Sequence, residues 1–254
     1  MALTVLGLML VGAAVATAGT ITTSLSGGAV AEKGDISLTS DLTDTTTAND
    51  ASSVDFTLPP ATTFADLNTL STQFEPTVGS PAAGATTPTG CGGGSPRFQI
   101  TLASGKNVFV YLGPSPNFNS CALNTWQSSG NLIGNNDTGR YDTSQIQSGT
   151  QSNTYSGALS LVGSQTVTKI SLVVDAGWAF TPKVQTVLVR DIDVNGQIVS
   201  APSTNARVNA AKACRAELAS LGKTAFEQKY GRNHNLRNAF GKCVSTAAHA
   251  KHHH

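Results

Sequence analysis

A chain of 254 residues has room for one or two domains. Only 12% of it is charged, well below the usual share, while Ser, Thr, Gly and Asn abound, which argues against a helical cytosolic protein and for an exported β-protein. The net charge of +1 conceals an asymmetry: from Asn205 onward nine Lys/Arg stand against two Asp/Glu, whereas the rest holds seven against thirteen, so an acidic body carries a basic tail.

The chain opens on MALTVLGLMLVGAAVATAG, uncharged and mostly apolar, ending in Ala16-Thr17-Ala18. This reads as a secretory signal peptide over residues 1–18, with a second possible cut after Ala31. The apolar run is at the short limit for a bilayer span and contains Gly7 and Gly12, so no membrane span is expected in the mature chain. Residues 19–53, rich in Thr, Ser, Gly and Asp, read as a flexible leader.

A sandwich domain is expected over 54–202. In SVDFTLPP, Val54, Phe56 and Leu58 alternate as in a strand. FADLNTLSTQFE spaces Phe64, Leu67, Leu70 and Phe74 either as a short helix or as an irregular edge strand. After a Pro/Gly/Thr loop, four runs alternate clearly: Phe98, Ile100 and Leu102; Val108, Val110 and Leu112; Ile170, Leu172 and Val174; and Val184, Leu188, Ile192 and Val194. Short alternating strands separated by turn clusters indicate an antiparallel β-sandwich, with a jelly roll as the preferred topology. From Arg207 the composition turns to Ala, Lys and Arg, and three short helices are expected in a module over 205–247, with Val208, Ala211, Leu218 and Leu221 sharing a face and Gly222 ending the first helix. Residues 248–254 read as a disordered His-rich tail.

Four cysteines suit export. The simplest of their three pairings is local, Cys91 with Cys121 and Cys214 with Cys243, the second stapling a helical segment too small to bury much core.

CGGGSPRFQI, VFVYLGPSPNFNSC and ISLVVDAGW together resemble a family of secreted proteins of high-GC soil bacteria. The stretch ACRAELASLGKTAFEQKYGRNHNLRNAFGKC resembles a Cys-bracketed helical module appended to exported proteins of similar bacteria. The two cover most of residues 90–245. They imply export and a two-part architecture, and they supply no catalytic residues, because neither family has an assigned activity.

The first histidine is His234, so a Ser-His-Asp or Cys-His site within the sandwich is excluded. Glycoside hydrolysis needs two suitably placed carboxylates. No glutamate lies between Glu75 and Glu217, and Asp137, Asp142, Asp175, Asp191 and Asp193 sit mostly beside turn residues or at strand ends. No catalytic residues are therefore assigned, and an Asp-based glycoside hydrolase is the enzyme alternative. Carbohydrate binding needs an aromatic face with amides and carboxylates around it. Trp126, Tyr141, Tyr155 and Trp178, with Asp175 and Asn136, are the candidate ligand-binding residues, near loops that also hold Asn117 and Asn119.

The expected function is a secreted, non-catalytic module binding glycan or cell-wall carbohydrate; the alternative is an extracellular structural or cell-surface protein. The basic tail suits anionic cell-wall polymer rather than nucleic acid. No cofactor is expected. RDIDVNGQIV contains D-x-D-x-N-G, the first half of a calcium loop, which makes Asp191, Asp193 and Asn195 candidate ligands of a surface calcium. The twelfth position of such a loop is Pro202, which offers no side-chain oxygen, and Asn195-Gly196 is a favoured two-residue turn, so a hairpin is expected there instead.

Overall fold

The computed structural model describes residues 20–81, 88–201, 204–231 and 238–249. The apolar segment 1–18, and the His-rich residues from 250 onward, lie outside them. Among the described residues, no helix is long and apolar enough to cross a membrane.

The strands are β1 (Thr22–Gly27), β2 (Val30–Glu32), β3 (Asp35–Asp41), β4 (Ser52–Thr57), β5 (Leu70–Val78), β6 (Ser80–Pro81), β7 (Pro88–Thr89), β8 (Arg97–Leu102), β9 (Asn107–Tyr111), β10 (Gln127–Ser128), β11 (Tyr141–Asp142), β12 (Val167–Val174), β13 (Val184–Val194) and β14 (Gln197–Val199). One sheet runs β1-β4-β12-β8-β9-β11 and the other β10-β5-β13-β3-β2, with β14 pairing β13. All pairings in both sheets are antiparallel. Eight of these strands, β3, β4, β5, β8, β9, β10, β12 and β13, are shared between the sheets in the order of a jelly roll: β3-β13-β5-β10 face β4-β12-β8-β9. The inward residues Val54, Phe56, Phe98, Ile100, Val108, Val110, Ile170, Leu172 and Val174 are fully buried between them, as their alternation requires.

Three expectations are corrected. Residues 19–53 are not a flexible leader: they carry β1–β3, and β3 places Ile36, Leu38 and Ser40 in the core. Its alternation is hidden in DISLTSD because a small Ser fills one inward position, where its hydroxyl donates to the Asp50 carbonyl. Cleavage after Ala31 would remove β1, which pairs with β4 over its whole length. Second, the FADLNTLSTQFE segment is neither a continuous helix nor an edge: a 3-10 turn at Phe64–Asp66, closed by a Thr63/Asp66 capping box, leads into β5, which lies between β10 and β13.

Third, β13 does not bury Val184 and Leu188. Its inward residues are Gln185, Val187 and Val189, then Ile192 and Val194. The phase changes at a bulge, where Arg190 and Asp191 both turn outward and Asp191 adopts φ 49°. There β13 exchanges its partner β3 for β14. Asn195 (φ 51°) and Gly196 (φ 81°) then close the hairpin in the left-handed conformations a type I′ turn requires.

Between β11 and β12, helix α1 (Tyr155–Val162) starts from Thr154, whose hydroxyl accepts from the Gly157 amide. The C-terminal region forms α2 (Thr204–Leu221), α3 (Lys223–Tyr230) and α4 (Ala239–His249), so the helix continues two residues into the expected tail. This region has its own core of Cys214, Phe226, Ala239 and Cys243. Gly222, at φ 74°, donates its amide to the Leu218 carbonyl and ends α2 as expected. Leu221, expected to face inward, is 43% exposed at the last residue of α2, although it follows Cys214 and Leu218 on the same side of the helix. Both local disulfides are present, Cys91–Cys121 and Cys214–Cys243. They suit an oxidising compartment.

Candidate functional site

A cleft of about 400 Å³ opens on the sandwich where four loops meet. Gly93 and Gly94 form one wall, Pro116 to Asn119 another, Thr138 and Gly139 a third, and Gln151 and Ser152 a fourth; Tyr111, the last residue of β9, lies among them.

Local chemistry builds each wall. Gly93 and Gly94 have φ of 58° and 78°, and a Cβ on them would lie 3.0 Å from the Trp178 ring and 3.2 Å from the Tyr111 ring. Only glycine lets the backbone pass between these two aromatics. The glycine loop rests on Gln185, a fully buried side chain of β13 that accepts from the Ser95 hydroxyl (2.8 Å) and donates to the carbonyls of Gly90 (2.9 Å) and Ser95 (3.1 Å). The Cys91–Cys121 disulfide ties this loop to the segment after Phe118, and the Gly90 amide donates to the Cys121 carbonyl at 3.0 Å. Opposite, the 113–118 loop folds tightly enough that a Cβ on Gly113 would collide with the Phe118 carbonyl.

Two arginines anchor these walls, and each has its charge paired with one carboxylate while its buried Nε has no partner among the described residues. Arg97, 12% exposed, donates to both carboxylate oxygens of Asp175 at 2.7 and 2.6 Å and to the Gly94 carbonyl at 3.1 Å. Arg140, 6% exposed, donates to the carbonyls of Tyr111 and Gly113 and to Asp137 at 2.9 Å, and lies over the Phe118 ring. Its guanidinium holds the Asp137 carboxyl below the usual carboxylate range. Phe118 in turn stacks on Tyr111, with ring centroids 6.1 Å apart.

Tyr111 donates its hydroxyl proton to Asp142 at 3.0 Å. Asp142 is buried, its other oxygen accepts from the Ser144 amide, and no cation pairs with it among the described residues. Burial, then the Asp142 charge, push the Tyr111 phenol well above its usual range, so it keeps its proton at any physiological pH. Because that proton is committed to Asp142, the Tyr111 oxygen has lone pairs left to accept from a ligand hydroxyl. The groups Arg97, Arg140, Asp137, Asp142 and Asp175 together sum to one negative charge, with no cation unpaired.

The residues expected to bind ligand are scattered. Trp178, in a 3-10 turn after β12, is 63% exposed and touches the Gly93 wall. Asp175 lies two residues before that turn but is committed to Arg97. Tyr141 has no face open to a ligand: it is wholly buried, packs edge-on to Phe64 and Tyr155, and donates to the Leu132 carbonyl at 2.7 Å. Tyr155 is half-buried in the same group, stacked on Phe64. Trp126, near β10, lies beneath the Arg190 guanidinium, 3.8 Å from the ring centroid. Asn136 accepts from the Ser156 amide and so braces the start of α1. The four aromatics therefore do not converge; Trp178 alone among them adjoins the cleft, while Asn117 and Asn119 line it.

Tyr111, Phe118, Arg97, Arg140 and Gln185 were not singled out by the sequence. Gln185 left no trace there: the sequence phase that turned Val184 and Leu188 inward put it on the outer face, and only the bulge at Asp191 brings it inside.

The candidate calcium ligands accept from donors of the protein itself. Asp191 accepts from the Ser200 hydroxyl, Asp193 from the Thr69 hydroxyl and the Gly196 amide, and Asn195 from the Asn68 amide. Among the described residues no three His, Cys, Asp or Glu side chains are grouped to hold a metal.

No protein-family model and no curated protein matches the chain. Among solved structures, an agarase, AgWH50C, matches with a TM-score of 0.35 at 13% identity over 79% of this chain and 29% of that one. An exo-β-agarase matches with a TM-score of 0.30 at 13% identity, over 82% and 30%. The chain spans less than a third of the length of either, and likenesses of this size carry no argument about its activity.

Proposed function

We propose that the protein is a secreted carbohydrate-binding module whose ligand lies in the Tyr111 cleft and stacks on Trp178. The observation that carries this reading is a large, 63% exposed tryptophan beside a polar cleft lined by amides and hydroxyls. An indole face complements the apolar side of a sugar ring, and Asn117, Asn119, Thr138, Gln151 and Ser152 offer partners to its hydroxyls. The ligand class is neutral sugar. The paired arginines have no charge to spare for an acidic one, the unpaired Asp142 repels it, and Tyr111 accepts from a hydroxyl. A purely binding role accords with the ion pair of Asp137, whose carboxyl Arg140 holds below the usual carboxylate range, and with the commitment of both Asp175 oxygens to Arg97.

The test is a panel of soluble and insoluble neutral and acidic polysaccharides, assayed by pull-down and titration calorimetry. Trp178→Ala is expected to weaken binding of a neutral glycan about ten-fold or more, with the thermal midpoint nearly unchanged because the ring is mostly in solvent. Tyr111→Phe is expected to weaken it further while retaining the fold. Absence of binding across the panel refutes the reading and leaves the extracellular structural role.

A further inference from the structure

The helical module leaves its positive charges over. Its two acids are both spent inside it. Glu217 of α2 accepts from the Lys229 ammonium and from the Tyr230 hydroxyl at 2.9 Å, which braces α2 against α3 and holds the Glu217 carboxyl low. Glu227 pairs with Lys223, one turn away on α3. Lys212, Arg215 and Lys242 have no carboxylate partner among the described residues.

The disulfide gathers these cations. Arg215 follows Cys214 on α2 and Lys242 precedes Cys243 on α4, and the two cysteine Cα atoms are 6.0 Å apart. With about 3.8 Å between successive Cα atoms, the Cα atoms of Arg215 and Lys242 lie within roughly 14 Å of each other. Lys212 stands three residues before Arg215, one turn along the same helix face. Lys212 and Arg215 are exposed and Lys242 is half-buried; the exposed positions around the first two on α2 are the short side chains of Ala213, Ala216, Ala219 and Ser220, with Leu221 at the end of the helix.

We propose that this face docks a linear anionic polysaccharide. Charge sets the class of partner: closely spaced cations with no counter-charge bind a polyanion by releasing its condensed counterions. The aromatics distinguish a polysaccharide from a single-stranded nucleic acid. Single-stranded nucleic acid is held largely by bases stacked on aromatic side chains. Here Phe226 is buried and packs on Tyr230 (4.9 Å) and Phe240 (6.4 Å), and the Tyr230 hydroxyl is committed to Glu217, so these rings form the module's core instead. The surface offers charge without stacking, which suits a charged sugar chain. It operates independently of the Trp178 cleft and gives the protein two contacts with a carbohydrate matrix, one for neutral and one for anionic chains.

The test measures binding of the full chain, disulfides intact, to heparin, to neutral dextran and to oligo(dT) of similar length, at about 50 and 200 mM salt. Heparin is expected to bind and dextran not to bind at this face, with heparin affinity falling as salt rises. Changing Lys212, Arg215 and Lys242 together to Glu is expected to weaken heparin binding about ten-fold or more. The same charge change placed on the sandwich, at Lys33, Lys106 and Lys183, is expected to leave most of it. Gln at the three module positions gives an intermediate loss and guards against repulsion artefacts, and far-ultraviolet circular dichroism checks that the helices persist. Trp178→Ala leaves heparin binding intact, which separates this surface from the cleft. The proposal is overturned by no heparin binding at the lower salt, by equal losses in the two triple variants, or by tighter binding of oligo(dT) than of heparin.

Discussion

Replacing Asp175 with alanine tests whether the cleft wall rests on a buried charge. Among the described residues Asp175 is the sole carboxylate on Arg97, whose side chain is 12% exposed and whose Nε, itself buried, has no partner there. The Asp175→Ala variant leaves that guanidinium with the Gly94 carbonyl and the face of Phe109 alone. Removing one partner of a fully buried pair costs about 3–5 kcal/mol, because the remaining charge is stranded away from water. Asp175 is 30% exposed, so some water reaches the site, and a loss of about 2–4 kcal/mol is expected. Urea unfolding followed by tryptophan fluorescence isolates the effect, since Trp126 and Trp178 both belong to the sandwich. With a urea dependence of roughly 2 kcal/mol per molar, the midpoint falls by about 1–2 M. Glycan binding is expected to weaken too, because Arg97 positions Gly94. A loss under about 1 kcal/mol would mean that the pair behaves as a solvated surface bridge, and the account of the glycine wall would fail.

Two further outcomes follow from the fold. Cys214–Cys243 closes a loop of 29 residues around a core of four buried side chains, so its reduction removes about 3–4 kcal/mol by the chain-entropy estimate. Partial reduction is expected to cut helical circular dichroism while leaving tryptophan fluorescence native; fully helical reduced protein would contradict this. Stability is also expected to be flat between about pH 6 and 8, because no histidine precedes His234, and to decline below about pH 4. Hydrogen bonds from Thr63 hold Asp66 low, Arg140 holds Asp137 low, and Asp55, though burial pushes it up, is held low by the Ser26 and Ser53 hydroxyls that donate to it. Each depressed carboxyl contributes stability that is fully present above its unfolded pKa and lost as pH falls through the lower folded value. Asp35, raised mainly by burial, works in the opposite sense and is outnumbered. Thermal midpoints across the acid range check this, and a rise on acidification would contradict it.

Strand period, cysteine locality, segment composition and turn chemistry carried the β-sandwich, both cysteine pairs, the three C-terminal helices and the Asn195-Gly196 hairpin. These are local properties: the period of a strand, the chemistry of a turn and the composition of a segment can each be read within about ten residues. The strand β3 escaped because its inward Ser40 broke the apolar alternation, and β13 was misphased because a bulge inserts one residue at Asp191, which shifts every later side chain to the other face. The cleft was beyond local reading altogether. It joins Gly93, Tyr111, Phe118, Gly139 and Ser152, residues from four loops, and its charge balance depends on Arg97 meeting Asp175 across 78 positions of sequence. Tyr141 and Trp178 looked alike as aromatics near turns, yet the fold buries one against Phe64 and leaves the other in solvent. The residue types constrained which chemistry was possible; the antiparallel return of β12 and β13 across the two sheets decided which side chains met, because long-range pairing is set by the packing of the whole core and not by any short stretch of the chain.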